Sequence, residues 1–360
     1  MPKIASISTY NPPHKLEQSN IEQLTKELFT NNISQLERLL KVFENGEIKQ
    51  RNFCVPLEWH KEQHSFEERN NLYINLAVEY GVNVIEACLS NTLFLEQPLS
   101  PKDIDVIIFV SSTGISTPSI DARIMNKLEF SDRMKRIPIW GLGCAGGAAG
   151  ISRAFDYCLA HPEAKVLVVC VELCSLTFQP NDFSKSNLVG ASLFADGVSC
   201  LLVCGDHATI KNKMPMPYII NTASKWMPDS EGVMGWDLKN DGLHVIFSRD
   251  IPSIISKWLG PFITDFLEEQ NLSKEQIDYL VAHPGGKKVL AAYEETLDMN
   301  EQHTTISREV LQHHGNMSSP TVHYVLEQFM LRESKSGSFG LLLALGPGFS
   351  GEAILLEWRD

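Results

Sequence analysis

The feature that most narrows the fold is a set of apolar runs that do not alternate with polar residues. Asp103-Ile104-Asp105-Val106-Ile107-Ile108-Phe109-Val110 leads into Ser111-Ser112-Thr113-Gly114, and Lys165–Glu172 and Val198–Cys204 have the same character. A strand that is apolar on every residue is buried on both faces, and that is the situation of a central strand covered by helices on either side. Between these runs lie helix-compatible stretches: Ile21, Leu24 and Leu28; Leu36, Leu39, Leu40 and Phe43; Asn71 to Leu95; Ile115 to Leu128; and Ala148 to Ala160, stopped at His161-Pro162. A short strand is expected at Ile4–Tyr10 and another at 137–142. Lys211–Pro217 breaks the pattern and marks a boundary, dividing the chain into 1–210 and 211–360. The second part echoes the first. Gln276-Ile277-Asp278-Tyr279-Leu280-Val281-Ala282 repeats the Ile-Asp-apolar opening and leaves through His283-Pro284-Gly285-Gly286. Helices are expected at Asp250–Glu269, Lys287–Leu297 and Pro320–Leu331, and a last strand at Gly340–Leu345, ending in Gly346-Pro347-Gly348. Strands alternating with helices in two related halves predict an α/β fold.

Bulk properties exclude several functions. The formal charge of −13 in 360 residues opposes a nucleic-acid partner, which requires a basic face. No run of 18 apolar residues predicts a membrane span, and Met1-Pro2-Lys3-Ile4-Ala5 has neither the apolar core nor the cleavage site of a secretion signal. The expected location is therefore the cytoplasm. Eight cysteines should then be mostly reduced, and their spacings, with no CxxC, do not form a zinc site. Cys170, Cys174, Cys200 and Cys204 lie in apolar runs and read as buried structural thiols.

Cys144 differs from these. It sits in Gly141-Leu142-Gly143-Cys144-Ala145-Gly146-Gly147, among residues too small to cover it, where a strand passes through a tight turn into a helix. The expectation is an exposed thiol whose pKa is lowered by the helix N-terminus. Such a nucleophile suits redox, protease or acyl-transfer chemistry. Two other turns carry candidate partners. His283 follows an expected buried strand, at the end where ligands bind open α/β sheets. Asn316, in His313-His314-Gly315-Asn316-Met317-Ser318-Ser319-Pro320, can donate two N–H groups without charge, as an oxyanion or enolate requires. Taken singly, a histidine among 11 is commonly a surface or core residue, and an asparagine in a turn is commonly there for its backbone tolerance. The joint occurrence of the three turns is what points to a site. A basic group, Arg38, Lys41, Lys49 and Arg51, also stands out in an acidic chain, read either as an ordinary solvated face or as a contact for a phosphate-bearing ligand.

The segments GLGCAGG, AHPGG, HGNMSSP and ALGPGFSGE resemble the signature segments of the type III polyketide synthases, the chalcone and stilbene synthase-like family. The resemblance extends to Ser112-Thr113-Gly114, Val166–Glu172 and Leu188–Gly197, and so covers nearly the whole chain in order. It implies a thiolase-like layered αβαβα fold, a homodimer, and acyl-CoA and malonyl-CoA as substrates, with no metal and no further cofactor. Carried over by position, Cys144 would hold the acyl chain, and His283 and Asn316 would stabilise the enolate left by decarboxylation of malonyl-CoA. Phe194 would stand at the junction of cavity and CoA tunnel, Thr177, Trp236 and Val245 would line the cavity, and Gly346, Pro347 and Gly348 would shape its floor. Arg38 and Lys41 would meet CoA phosphates, while Asn45 stands where the family has a third basic residue. Trp236 and Val245 replace a glycine and a phenylalanine of plant members. The pattern is closer to bacterial alkylpyrone and alkylresorcinol synthases, which implies a fatty acyl starter. The triad is shared with ketoacyl carrier-protein synthase III, the main alternative; a non-catalytic acyl-CoA-binding protein is the alternative of another class. Thiolases would need a second cysteine, and hydroxymethylglutaryl-CoA synthases a glutamate base beside Cys144. Starter length, extension number and ring closure depend on cavity volume, a property of the fold.

Overall fold

The computed structural model describes residues 1–29, 36–332 and 335–360. The first part runs β1 (Lys3–Tyr10), β2 (His14–Glu17), α1 (Gln18–Phe29), α2 (Leu36–Asn45), β3 (Gln50–Phe53), α3 (Phe66–Leu89), β4 (Val106–Val110), α4 (Ile120–Met125), β5 (Lys135–Ile139), α5 (Gly146–Ala160), β6 (Lys165–Leu173), α6 (Lys185–Leu193) and β7 (Asp196–Cys204). The second part runs β8 (Met216–Trp226), β9 (Met234–Lys239), β10 (Gly242–Phe247), α7 (Ile251–Glu268), β11 (Tyr279–Ala282), α8 (Lys287–Leu297), α9 (Thr305–His314), α10 (Thr321–Arg332), β12 (Phe339–Gly346) and β13 (Ser350–Arg359).

Nine strands form a sheet in the order β11-β12-β13-β8-β1-β7-β6-β4-β5, so each part of the chain supplies one contiguous stretch of it. The two stretches meet at a single β1–β8 pairing, Lys3 with Tyr218. The apolar runs are central strands, as expected. Along β4, Ile108 and Val110 point into one core and Ile107 and Phe109 into another, and β12 divides Leu342 and Ala344 from Leu341 and Leu343 in the same way. These cores define five layers. Helices α3 and α4 cover the outer face of the first stretch, α5 and α10 lie between the two stretches, and α7 and α8 cover the outer face of the second. This is the layered thiolase-like αβαβα arrangement. Each fully buried Ile, Leu or Val stabilises it by about 1.5–3 kcal/mol.

Several expectations need correction. Only Ile120–Met125 is helical within Ile115–Leu128, because Thr117-Pro118 and the turn before β5 interrupt the chain. The strand before Cys144 is Lys135–Ile139, an exposed edge strand that ends short of the expected 142. Gly340–Leu345 is not the last strand, since β13 follows and pairs with both β12 and β8. Helix α3 has the length and apolarity of a membrane span, yet Tyr73, Ala77, Val84, Ile85 and Cys88 pack into the core beside β6 and β7. All eight cysteines are buried and unbridged.

Candidate active site

Cys144 lies in a short 3₁₀ turn, Gly143–Ala145, directly before α5. The turn needs glycine at 143, where φ is +47° and a Cβ would lie 2.8 Å from Pro347. Pro347 belongs to the Gly346-Pro347-Gly348 loop, and a Cβ at Gly346 would come within 2.4 Å of the Leu142 carbonyl. The loop expected to shape the cavity floor therefore packs directly on the cysteine turn. This contact buries the thiol: Cys144 is 6% exposed, against the expectation of an uncovered residue. Small neighbours allow other segments to approach instead of leaving the cysteine bare.

The Asn316 turn closes over the thiol. The Cys144 Sγ is 3.8 Å from Asn316 Oδ1 and 3.9 Å from Nδ2. Asn316 is fully buried and held on all sides. Its backbone N–H donates to Leu193 O and its carbonyl accepts from Ala195 N–H, each at 2.9 Å, so it pairs with Phe194 as an isolated bridge. Its Nδ2 donates to the Gly285 carbonyl at 3.3 Å and its Oδ1 accepts from Ser318 N–H at 2.8 Å. Ser318 adopts φ +60° to reach that position, a left-handed conformation that costs roughly 1–2 kcal/mol in a residue with a side chain.

His283 follows β11, where its N–H donates to Leu343 O at 2.8 Å. The Gly285 carbonyl that receives Asn316 belongs to the same loop, so the three turns singled out in the sequence are brought to one buried place. The ring is 2% exposed, and among the described residues neither nitrogen has a hydrogen-bond partner. Burial pushes His283 down to about 3, leaving a neutral imidazole. Burial pushes the Cys144 thiol up to about 11; hydrogen bonds from Ser318 and Asn316 pull it back part of the way, and the Glu172 charge adds to the rise. The expected lowering by the helix N-terminus is opposed by desolvation, which favours the neutral form of both groups.

Sequence reasoning missed the support beneath the cysteine. Glu172, fully buried on β6, accepts Ser112 N–H at 3.0 Å and Ser319 Oγ–H at 2.9 Å, while Ser112 Oγ accepts Gly143 N–H at 3.2 Å. The carboxylate thus joins the turn after β4, the cysteine turn and the Asn316 turn; burial raises it to about 7. Its only sequence signal is a charge inside an apolar strand.

A largely apolar cavity adjoins this site, and Thr177, Phe194, Trp236 and Val245 all line it. Trp236 and Val245 are directly opposed across the β9–β10 hairpin, and the Phe194 ring is 6.0 Å from those of both Trp236 and Phe247. Arg38 and Lys41 are exposed on α2, whose inner face packs on α1 and α6. Arg51 does not share that surface: it is fully buried and lines the cavity.

A buried thiol on a layered thiolase-like scaffold, beside an apolar cavity, is the architecture of acyl-transferring condensing enzymes. Sequence comparison narrows the class. Residues 4–207 match the N-terminal domain of the chalcone and stilbene synthases, and residues 219–358 match the C-terminal domain. A Bacillus subtilis (strain 168) protein provisionally named a chalcone synthase is 46% identical over 359 residues, covering 99% of this chain and 98% of the relative. The 1,3,6,8-tetrahydroxynaphthalene synthase of Streptomyces peucetius subsp. caesius is 34% identical, over 99% of this chain and 93% of the relative. The crystal structure of the corresponding synthase from Streptomyces coelicolor A3(2), a bacterial type III polyketide synthase, superposes with a TM-score of 0.91 at 29% identity and 99% coverage of both chains. The chain belongs to the chalcone and stilbene synthase family and is a type III polyketide synthase, an acyltransferase. That assignment sets aside the ketoacyl carrier-protein synthase III and non-catalytic alternatives.

Proposed function

We propose that the enzyme loads a fatty acyl group from its CoA thioester onto Cys144, extends it with malonyl-CoA, and releases a pyrone or resorcinol-type product. The observation that carries the reading is the convergence of the Cys144 Sγ, the Asn316 amide and the His283 loop in one buried site beside an apolar cavity. His283, whose ring nitrogens are unpartnered among the described residues, takes the thiol proton as the sulfur attacks the starter carbonyl, and CoA leaves as its thiol carrying that proton. Malonyl-CoA then loses carbon dioxide. The electron pair of the broken C–C bond becomes an enolate, whose oxygen is held by Asn316 Nδ2 and His283. The enolate carbon attacks the cysteinyl thioester, forming the new C–C bond and returning the thiolate.

Apolar walls from Ile21, Leu24, Phe53 and Phe178 support an alkyl chain in the cavity, with Phe194, Trp236, Val245 and Thr177 at its side. Exposed Arg38 and Lys41 meet the CoA phosphates, and no cofactor beyond the CoA thioesters is required. The functional division at about residue 210 is supported by the contiguous stretches of sheet. A homodimer is supported by the edge strand β5, flanked by Trp140 at 56% and Ile115 at 40% exposure, an edge that a second subunit would cover. Eight unbridged cysteines support a reducing compartment, the cytoplasm.

Mass spectrometry of products from malonyl-CoA with starters from acetyl to stearoyl tests the starter assignment. The expected result is extension of medium or long acyl groups. The tetrahydroxynaphthalene synthase relatives favour a second reading, in which malonyl-CoA alone primes and extends; an aromatic product from malonyl-CoA without a starter would select it. Iodoacetamide followed by peptide mapping tests the nucleophile: Cys144 should alkylate faster than Cys158 or Cys170, and equal rates would remove its role.

A further inference from the structure

Arg51 was grouped by sequence with surface lysines, but its environment assigns it another task. Its Nη1 donates to the Phe194 carbonyl at 2.6 Å, and its carbon stem fills the space at Gly315, where φ is +70° and a Cβ would lie 2.8 Å from Cγ and Cδ. The side chain therefore joins Phe194 to the turn that holds Asn316. Its other edge, Nε and Nη2, has no hydrogen-bond partner among the described residues, although the residue is fully buried and lines the cavity. His60, 5% exposed, lines the same cavity between the Phe53 and Phe178 rings, and its Nε2 is likewise unpartnered.

Burial lowers Arg51 only to about 9, so it stays charged at neutral pH. The nearby Asp196 carboxylate is already engaged by Cys54 N–H, Ser175 N–H and Ser175 Oγ–H. Leaving a buried donor unmatched costs roughly 1–3 kcal/mol, and more on a charged group. The Nε–Nη2 edge is one that grips two coplanar oxygens together. A saturated acyl chain offers no such pair. Each condensation on Cys144 creates one, because the new ketone lies two carbons from the thioester carbonyl. Phe194 lines the cavity and pairs with Asn316, whose Oδ1 is 3.8 Å from the Cys144 Sγ, so the cavity lies next to the point where the chain is attached.

We propose that the Nε–Nη2 edge of Arg51, with His60, docks the 1,3-dicarbonyl segment of the growing chain and thereby sets how many extensions precede release. The proposal rests on the reading of Cys144 as the extension site. A held dicarbonyl cannot fold back on its own thioester, so extension continues; a loose one cyclises early.

The test compares wild type, Arg51→Lys and His60→Leu, with octanoyl-CoA and malonyl-CoA, by product mass. Lysine keeps the charge but has no planar fork, and His60→Leu leaves the bond to Phe194 in place. Each variant should lower the ratio of longest to shortest product at least about tenfold, the effect of losing one charge-assisted hydrogen bond. The preference for acetoacetyl-CoA over butanoyl-CoA as starter, as a ratio of kcat/KM, should fall in parallel. Folded variants that keep both wild-type ratios overturn the proposal; if Arg51→Lys does not fold, His60→Leu decides alone. A wild-type preference for glutaryl-CoA over acetoacetyl-CoA that Arg51→Lys abolishes also overturns it, by making the site a carboxylate pocket. A wild type that extends no starter removes the underlying reading instead.

Discussion

The turns after β4 and β11 occupy corresponding places in the two stretches of sheet. β4 pairs in parallel with β6, and β11 with β12; each partner strand then pairs antiparallel with the next, β7 or β13. The chemistry at the two turns is nevertheless opposite. After β4, Ser112 and Thr113 are used up in bonds to Gly143 N–H, Glu172 and Leu173 N–H. After β11, His283 keeps both ring nitrogens unpartnered among the described residues. The same divide holds for the two helices between the stretches, where α5 begins just after Cys144 and α10 follows the turn bearing Asn316. Of these two turns, one spends its side chains in holding the Cys144 turn in place, and the other leaves an imidazole unengaged. Equivalent backbone positions thus need not share a task; what decides it is whether local hydrogen bonds have already consumed the side chain.

The sharpest break of this comparison is Cys144→Ala. It should lower product formation by at least roughly 10³-fold while leaving measurable release of carbon dioxide from malonyl-CoA, because the proposed enolate site belongs to the other half. Loss of that release in a folded variant, followed with labelled malonyl-CoA, would contradict the division. Next, His283→Ala should cut decarboxylation by roughly 10²–10⁴-fold, whereas Ser112→Ala at the corresponding turn should mainly cost about 1 kcal/mol of stability. Equal kinetic damage from the two would erase the asymmetry. Asn316→Ala should lower decarboxylation by roughly 10²–10³-fold and starter loading by less; a radiolabelled starter read beside carbon dioxide release separates the two steps.

A further effect, on stability rather than rate, concerns Glu172. Its native value, raised from 4.5 to about 7, means that the folded state holds a proton the unfolded state releases earlier. Its stabilising effect is therefore complete below the unfolded value and is lost as pH rises through about 7, a change of about 3 kcal/mol. Glu172→Gln cannot ionise, so its melting temperature should gain on wild type as pH rises from 4.5 to 7. A difference that stays constant over that range would mean the carboxylate is not protonated in the fold.

Much of the scaffold was legible because local periodicity carries it. The apolar runs at β4, β6 and β7, the β11 echo, and the helix Lys287–Leu297 read correctly because burial on both faces leaves no polar alternation, and burial on one helix face leaves a 3.6-residue period. Strands β8 and β13 were passed over: β8 turns partly exposed toward its C-terminal end, and β13 follows a glycine-rich loop that looked like a terminus. Trp236 and Val245, nine positions apart in sequence, are both cavity residues by resemblance, and the hairpin register sets them directly opposite each other.

The sequence alone determined which residues meet: the glycines at the cysteine turn, the HPGG loop and the Asn316 turn have shapes that local backbone geometry dictates, and their combination identifies the family. Only the tertiary structure decided their electrical state. Cys144 is covered rather than exposed, so desolvation raises its thiol, and Arg51 is a buried cavity donor rather than a surface contact. Desolvation sums over every atom packed around a group, and at Cys144 those atoms come from Pro347, Asn316 and Ser318, far along the chain. No local pattern records that sum.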